Sequence, residues 1–312
     1  MNEFELIAKL THSLPTDDSV KVGAGDDCAV LDFGMADKSI LFKTDAVVEG
    51  IHFTAETEPE RIGHKALGRC LSDIAAMGGT PTHALVTLAL PKEYDPERIS
   101  MIYRGMSALA LRHKVAIVGG ETTTNPERLL ISISLLGTVR KDKAALRSGA
   151  QVGDGVFVSG QLGASRSGKH LDFEPRIEEG RWLMENFTIH SMMDVSDGLA
   201  GDLRHIMKQS GVGILLHAAM IPINREAVLA AREKSTAKPA LLAALTDGED
   251  FELVFTVPAK EAVRLKDAWK AQFPNLPLSC IGKIIKQPGL HLQDERGVRE
   301  LHDHGYMHHA QS

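Results

Sequence analysis

Two adjacent carboxylates on a glycine turn, Asp26 and Asp27, constrain this chain more than any other feature. They follow Gly23-Ala24-Gly25 and precede a short apolar strand predicted at 29–31. Glycine permits turn dihedrals that other residues avoid, and it leaves room for a ligand beside the main chain. Two like charges side by side repel each other, so a bound cation explains them best. Further carboxylates end other apolar runs, and we predict that all of them form one metal-binding centre: Asp45, Asp73, Glu121, Asp194 and Asp197.

The composition is that of a large globular protein. With 312 residues, 43% of them hydrophobic, the chain can bury a large core and is long enough for two domains. The net charge of −6 and the lack of a Lys/Arg run argue against a nucleic-acid surface. An acidic protein can still bind phosphates if divalent ions lie between them and its carboxylates.

The cysteines and the apolar runs indicate the cellular compartment in which the protein is expected. Cys28, Cys70 and Cys280 are odd in number and widely spaced, which favours neither a disulfide framework nor a zinc site. The first residues lack the basic flank and apolar core of a signal peptide, and no apolar run approaches the roughly 18 residues of a membrane span. We therefore expect a cytoplasmic protein without a membrane segment.

Alternating helix and strand patterns predict an α/β or α+β fold with ligands at the strand ends. A polar segment at 140–155 is the predicted boundary between domains 1–139 and 140–312. Strands are predicted at 29–33, 39–44, 83–90, 115–118 (buried), 129–137, 156–159, 191–194, 213–217, 251–257 and 279–284. Helices are predicted at 3–14, from about 59 to 78, at 96–113, at 177–186, from the Ser196-Asp197-Gly198 segment to about 209, and at 259–272.

Several motifs have two interpretations. Gly163 to His170 nearly fits a P-loop, but His170 stands where a Ser or Thr hydroxyl should bind magnesium, so that interpretation is rejected. Asp194 ends a strand, and Ser196 or Asp197 can cap the next helix, leaving N–H groups for an anion. Asp73 could be a surface carboxylate or a metal ligand. Arg147 could be a surface charge or a phosphate partner. Gly119-Gly120-Glu121-Thr122 is a tight turn or a metal and phosphate site, and His52 alone is more often structural.

Seven segments of the chain carry a resemblance to a known family. They are Gly25-Asp26-Asp27-Cys28-Ala29-Val30, Thr44-Asp45 with Val48-Glu49-Gly50-Ile51-His52-Phe53, Leu71-Ser72-Asp73-Ile74-Ala75-Ala76-Met77-Gly78, Gly119-Gly120-Glu121-Thr122-Thr123, Arg147-Ser148-Gly149, Asp194-Val195-Ser196-Asp197-Gly198-Leu199 and Gly248-Glu249-Asp250-Phe251-Glu252-Leu253. Taken in order, they resemble the thiamine-monophosphate kinase family over 23–306. That family belongs to a superfamily with aminoimidazole ribonucleotide synthetase and selenophosphate synthetase, and the resemblance implies its two-domain fold, which has an N-terminal mixed sheet with helices on one side and a C-terminal α/β domain.

The resemblance implies phosphoryl transfer from ATP to thiamine monophosphate with Mg²⁺, in a homodimer paired through its N-terminal domains. It assigns catalytic roles to Asp27, Asp45 and Asp197. By position, the Mg²⁺ ligands are Asp27, Thr44, Asp45, Asp73, Glu121, Asp194 and Asp197, the ATP contacts are Tyr103, Gly120, Glu121, Arg147 and Ser196, and the acceptor contacts are His52, Glu249 and Tyr306. The departures are Glu121 for the usual Asp, Thr124-Asn125 for Arg-Ser, Asp247 for a glycine, and a segment near 163–170 that looks shortened.

The chemistry of such a reaction suits this inventory of residues. A phosphate monoester acceptor has a second pKa near ~6 and is largely ionised at neutral pH, so it needs no general base. Alignment and charge neutralisation then drive an in-line transfer. Two alternatives stay open: a related ATP-dependent enzyme with another acceptor, and a non-catalytic binder of thiamine phosphates or nucleotides. A histidine-rich end could bind a transition metal or be a solvated terminus: His302, His304, His308 and His309.

Overall fold

The computed structural model describes residues 3–12, 14–233 and 238–301. Its strands form two mixed sheets, one of six strands and one of seven, in successive halves of the chain. This two-sheet architecture with packed helices agrees with the predicted α/β (α+β) class. Tyr306 and the histidine-rich end lie outside the described residues.

The first sheet has the strand order β1-β2-β3-β6-β4-β5. Its neighbouring strands are antiparallel except for β4 and β5, which run parallel. The elements of this half are α1 (Glu3–Thr11), β1 (Val20–Val22), β2 (Ala29–Leu31), β3 (Lys38–Val48), α2 (Pro59–Ala76), β4 (Thr80–Leu90), α3 (Pro96–Arg112), β5 (Ala116–Thr124) and β6 (Leu130–Arg140).

Successive side chains of β3 alternate between the two faces of this sheet, as strand geometry requires. Leu41 and Val47 are buried on the face that packs against α2. Phe42, Leu85 and Leu136 belong to the opposite face and are 46%, 48% and 37% exposed. We call this second face the outer face; it carries exposed apolar side chains that a single chain leaves in solvent.

The second sheet has the order β13-β12-β9-β11-β7-β10-β8, with β12 and β9 parallel and its other neighbours antiparallel. Its central strands β7 and β10 are buried along their whole length. The elements of this half are β7 (Gly155–Ser159), α4 (Lys169–Asp172), α5 (Ile177–Asn186), β8 (Ser191–Asp194), α6 (Leu199–Ser210), β9 (Gly213–His217), α7 (Arg225–Glu233), α8 (Ala240–Thr246), β10 (Leu253–Val257), α9 (Ala262–Gln272), β11 (Leu278–Ile285), β12 (Leu290–Asp294) and β13 (Gly297–Glu300).

Helix α2 lies between the two halves and contacts both. It packs against α3 and the first sheet on one side, and against α4, α5 and β8 on the other. Proline begins it at its first turn, where a missing N–H does no harm. At Gly63 a Cβ atom would come within 1.9 Å of the Ile102 carbonyl oxygen, so only glycine permits this close approach of α2 to α3. The polar side chains of this buried helix, Lys65, Ser72 and Asp73, therefore lie in the interior of the protein.

The strand predicted at 115–118 is wrong in extent and in burial. Strand β5 continues through Gly119, Gly120 and Glu121 to Thr124, and it is an exposed edge strand. The tight turn, one of the two interpretations of Gly119-Gly120-Glu121-Thr122, is wrong. The glycines instead let the strand run close to β4: a Cβ at Gly120 would come within 1.7 Å of the Val86 carbonyl oxygen. A register irregularity at Ala84 and Leu85 accompanies this approach.

Some elements carry weak sequence signals. Helices α7 and α8 and the strand pair β12–β13 lie in segments for which we predict no element. None of the helices in the described part of the chain combines the length and the apolar character that crossing a bilayer requires.

Candidate active site

Three buried aspartates from distant segments meet at the boundary of the two halves. Asp27 precedes β2, Asp73 lies in the last turn of α2, and Asp194 ends β8. One carboxylate oxygen from each lies within 4.8 Å of the others. We call these three residues the carboxylate cluster. The structure brings them together as the pattern predicts, and the interpretation of Asp73 as a solvated surface carboxylate is wrong, because its side chain is buried.

Local contacts hold the cluster in place. The Cys28 N–H donates to the Met77 sulfur, which joins the segment before β2 to the end of α2. The Ser72 hydroxyl donates to Oδ2 of Asp194, so α2 also fixes the end of β8. These contacts leave the three carboxylates facing one another with little solvent between them.

Close packing of like charges disturbs the ionisation of the cluster. Burial, followed by the charge of Asp27, raises the pKa of Asp194 from 3.8 to about 7. Burial and the charges of Asp45 and Asp194 raise the pKa of Asp73 well above its ordinary range, although Lys43 opposes them. An added positive charge would stabilise such carboxylates as anions.

The cluster has the donors that a hard divalent cation requires. Oδ2 of Asp27 is buried and has no hydrogen-bond partner among the described residues, so one oxygen is left for a ligand. Carboxylate oxygens are the ligands that Mg²⁺ prefers. The residues present therefore fit a bound magnesium ion.

Side chains of β3 and α2 extend the cluster into an open cleft with a cavity volume of about 320 Å³. Nζ of Lys43 lies 3.0 Å from Oδ2 of Asp73 and 3.8 Å from Oδ2 of Asp45. Nη2 of Arg69 lies 3.7 Å from Oδ1 of Asp45. Asp45 therefore stands at the cleft wall between two cations.

The two adjacent aspartates of the glycine turn have different roles. Asp26 accepts hydrogen bonds from its neighbour's N–H and from the Arg147 N–H, at 3.1 and 3.2 Å. Asp27 accepts from the Arg147 guanidinium, with Nε at 3.1 Å. Asp26 thus anchors the segment that carries Arg147, while Asp27 belongs to the cluster. Arg147 is not a surface charge, since it lies in the cleft beside the carboxylates.

The loop between β8 and α6 brings Ser196 and Asp197 to the cleft. Neither caps the helix, which corrects that prediction. The N-cap is Gly198, and no side chain bonds the first turn from it. Instead the Asp197 N–H donates to Oδ2 of Asp202 at 3.3 Å, which bends the loop so that both side chains reach the cavity.

Two of the predicted acceptor contacts, His52 and Glu249, line the other end of the cleft. Both also line a neighbouring cavity of about 400 Å³, together with Arg61, Arg166 and His170. Burial by itself raises the pKa of Glu249, but the His170 ring and the Lys65 charge lower it to about 2. The cleft thus joins a carboxylate-rich end to a second cavity with a fixed negative charge on its wall.

Four predicted site residues are not brought into this cleft within one chain. The Thr44 hydroxyl donates to the Ile133 carbonyl at 3.1 Å and lies beside Ser132 and Ser134, on the outer face. Gly120 and Glu121 lie on β5, three strands from β3, which is about 14 Å across the sheet at ~4.8 Å per strand. Tyr103 packs against the core from α3.

Sequence reasoning missed Lys43 and Arg69, which line the cleft, and Lys65, although their spacing from the predicted residues Asp45 and Asp73 was a detectable signal. Lys43 and Asp45 are two apart on a strand and share a face. Lys65, Arg69 and Asp73 are spaced four apart on α2 and therefore also share a face. That spacing could have identified a polar stripe on an otherwise apolar helix.

Comparison with known proteins agrees with this geometry. Two domain models match: AIR synthase related protein, N-terminal domain, over residues 25–139, and AIR synthase related protein, C-terminal domain, over residues 148–295. With its two mixed sheets and the carboxylate cluster between them, the chain is a two-domain AIR synthase related protein.

More similar proteins define the family within this class. The thiamine-monophosphate kinase of Rhodopirellula baltica is 40% identical over 288 residues, 90% of this chain and 87% of that protein. A solved structure of AaThiL complexed with AMPPCP and TMP has a TM-score of 0.82 at 29% identity, over 99% of this chain and 97% of that one. The crystal structure of the thiamine-monophosphate kinase of Stenotrophomonas maltophilia K279a has a TM-score of 0.73 at 32% identity, over 93% of this chain and 96% of that one.

The chain belongs to the thiamine-monophosphate kinase family. The predictions of the family, of the two-domain fold and of an enzyme of this kind are confirmed.

Proposed function

We propose that the protein transfers the γ-phosphoryl group of ATP directly to thiamine monophosphate, in line and with Mg²⁺, giving thiamine diphosphate and ADP. The observation that carries this proposal is the carboxylate cluster, whose three oxygens lie within 4.8 Å of one another beside an unpartnered buried oxygen of Asp27. The related AaThiL structure, which contains AMPPCP and TMP, supports the choice of donor and acceptor.

The residues of the cleft have different roles in this reaction. Asp27, Asp73 and Asp194 would hold Mg²⁺, and Asp45 and Asp197 lie on the same cleft. Bound magnesium supplies neutralisation of the phosphoryl oxygens, which is the main requirement when two polyanions react.

Cationic side chains and a loop complete the donor end. Arg147 and Arg166 line the cleft and can contact phosphate oxygens, and Ser196 offers a hydroxyl at the same wall. The second cavity, with His52 and Glu249, would hold the organic part of the acceptor. Because the acceptor phosphate is largely ionised above its second pKa of ~6, the site needs only to align it.

Replacing Asp45 by asparagine tests the proposal. The change keeps the size of the side chain but removes a charge from the cleft wall, and we expect turnover of ATP with thiamine monophosphate to fall by about 10²-fold, the scale of one lost electrostatic contact. Thiamine diphosphate and ADP are quantified at saturating Mg²⁺. Asp294→Asn, which alters an ion pair with Arg299 far from the cleft, is the matched control. Undiminished turnover in Asp45→Asn would exclude the assigned role.

The two alternatives make different predictions in the same assay. An enzyme with another acceptor would form ADP with a different member of a panel of phosphate and carboxylate acceptors. A non-catalytic binder would take up ATP or thiamine phosphate in a calorimetric titration without turnover. The buried, mutually repelling carboxylates favour catalysis, because a binder has little need for them.

The oligomer and the domain roles are part of the proposal. The exposed apolar side chains of the outer face, Phe42, Leu85 and Leu136, support a homodimer paired through domain 1–139. Thr44 and Glu121 lie on the same outer face, so a second chain could bring Glu121 towards a site that one chain does not complete. Domain 140–312 contributes Arg147, Ser196, Asp197 and Glu249. The free thiols of Cys28 and Cys70 suit the cytoplasm, which stays a prediction.

Replacing Phe42 by glutamate should separate such a dimer. A charge on the outer face would be buried in the interface without a partner, so we expect sedimentation to give the 33.9 kDa mass of one chain instead of twice that mass. Val263→Glu is the control, since Val263 is 74% exposed on α9, away from the outer face. A Phe42→Glu protein that keeps the wild-type dimer mass would contradict this interface.

A further inference from the structure

Lys65 is a fully buried lysine whose function the phosphoryl transfer does not explain. It lies on α2 with no exposed surface. Its Nζ donates to the His52 carbonyl oxygen at 2.7 Å, and it lies 2.6 Å from Nδ1 of His170 and 2.7 Å from Oε1 of Glu249. These three contacts equal in number the three N–H groups of an ammonium.

These three contacts join three segments that are distant in sequence. His52 follows β3, His170 lies on α4, and Glu249 lies in the segment between α8 and β10. All three residues line the second cavity, and His52 and Glu249 also line the main cleft. One buried cation therefore connects three parts of the wall that would surround the acceptor.

The His170 ring lies against both charged groups. Its Nδ1 is 2.6 Å from Nζ of Lys65 and 3.2 Å from Oε2 of Glu249. Lys65, His170 and Glu249 therefore form one compact cluster at the wall of the second cavity, and moving any one of them changes the contacts of the other two.

The Glu249 backbone shows that its position is imposed by its surroundings. Its φ of +56° and the φ of +51° at Phe251 lie in the left-handed region, which is strained for residues other than glycine. Hydrogen bonds from the Glu249 N–H to the Ser196 carbonyl and from the Phe251 N–H to the Val195 carbonyl, at 2.7 and 2.8 Å, hold this conformation. The main chain is fixed by the loop after β8, and Lys65 fixes the side chain.

A purely structural ion pair is the simpler explanation, but it fits this arrangement less well. Burying a lysine and a glutamate together is rarely a net gain in stability over apolar residues of similar size. The pair here is placed at a cavity wall, with a histidine ring and a main-chain carbonyl added to it. Such an arrangement is expected where the exact placement of side chains at a binding site matters more than their contribution to the free energy of folding.

We propose that Lys65 is a positioning residue for the acceptor substrate, acting through Glu249, His170 and the His52 carbonyl, which it holds in one orientation at the wall of the second cavity. This inference rests on the proposed function. The ligand of the second cavity is the organic part of a phosphate monoester acceptor, so Lys65 affects acceptor binding and leaves the binding of ATP unaffected.

The test is a set of three variants, Lys65→Met, Glu249→Gln and the double variant, assayed with ATP and thiamine monophosphate. In Lys65→Met we expect the KM for thiamine monophosphate to rise about tenfold or more, as for the loss of one charged hydrogen bond, with the KM for ATP unchanged. Because Lys65 acts mainly through Glu249, the double variant should have the acceptor KM of Glu249→Gln within about twofold.

The double variant also guards against failure to fold. Lys65→Met leaves the Glu249 carboxylate buried without its cation, whereas the double variant leaves no such charge. Lys238→Met, which removes a surface ion pair with Asp247, is the matched control and should change neither KM.

The outcomes separate this inference from the proposed function. If the wild-type protein does not phosphorylate thiamine monophosphate, the proposed function fails. If the wild type is active and Lys65→Met changes both KM values equally or neither of them, the positioning role fails. The positioning role also fails if the double variant shows the product of the two single effects.

Discussion

Replacing Asp194 by asparagine should reduce turnover with ATP and thiamine monophosphate by about 10²–10³-fold, the scale of a lost electrostatic contact in a closed site. Asparagine keeps an oxygen that can accept the Ser72 hydroxyl, so the fold around β8 is preserved. What is removed is one anionic oxygen of the carboxylate cluster. Turnover at saturating Mg²⁺ and the affinity for Mn²⁺, measured by electron paramagnetic resonance, should fall together.

The same variant should be no less stable than the wild type when metal is removed. Because the pKa of Asp194 in the folded protein is raised to about 7, its contribution to stability is present below its ordinary pKa of 3.8 and is lost as the pH rises through about 7. In EDTA, the wild type should therefore lose stability over this interval, and Asp194→Asn should lose less. Thermal unfolding from pH 4 to pH 7 checks the slope. Equal slopes, or unchanged Mn²⁺ affinity, would contradict the described electrostatics.

Replacing Glu252 by alanine should destabilise the protein by about 3 kcal/mol, the lower end of the cost of breaking a buried ion pair. Glu252 is buried and accepts from Arg176 Nε at 2.8 Å, Lys169 Nζ at 2.9 Å and the Ser159 hydroxyl at 2.8 Å. Its removal takes the carboxylate partner from Lys169 and leaves Arg176 with only the longer contact to Glu179, at 3.9 Å. Both cations keep some contact with solvent, which is why the lower end is expected. Urea unfolding gives the difference in free energy.

A surface glutamate supplies the comparison for this variant. Glu185 is half exposed on α5, with Arg181 one turn away at 3.8 Å. Glu185→Ala should change the free energy of unfolding by about 0.5 kcal/mol or less, since exposed pairs contribute little. If Glu252→Ala is as mild as this control, the buried network does not hold the segment after β7.

The network around Glu252 also explains the P-loop-like segment. Lys169 does not face a phosphate, because Glu252 takes its ammonium, and the Gly163 N–H donates to Asp250 at 3.0 Å. The sequence alone shows the misfit only at His170. The structure adds that the Gly163 N–H, the Ser165 hydroxyl and the Lys169 ammonium already donate to Asp250 and Glu252 of the neighbouring segment.

The convergence of Asp27, Asp73 and Asp194 could be predicted because each carboxylate lies beside the end of a strand or of a helix, where the fold brings chain segments together. The different roles of Asp26 and Asp27 could not, since identical neighbours are distinguished only by which of them meets Arg147 N–H. Lys65 is a similar case. Its helical spacing to Asp73 was visible, but that this face of α2 would be polar and still buried depends on contacts with α4 and β8.

The extent of β5 was beyond sequence reasoning for a related reason. A pair of glycines predicts a turn when only local preference is considered, and here close contact with β4 decides instead. The likeness to a known family supplied the ligand positions on that strand, yet within one chain they stay far from the cleft. Local propensity and family likeness both leave open what a second chain contributes.

Helix α2 presents Lys65, Arg69 and Asp73 on one face, so the same helix contributes to the carboxylate cluster and supports the wall of the second cavity. A shift of the helix along its axis would displace both sites together. A substitution where α2 contacts α3, such as at Gly63, would therefore change ligand binding at both sites from a position that contacts neither of them.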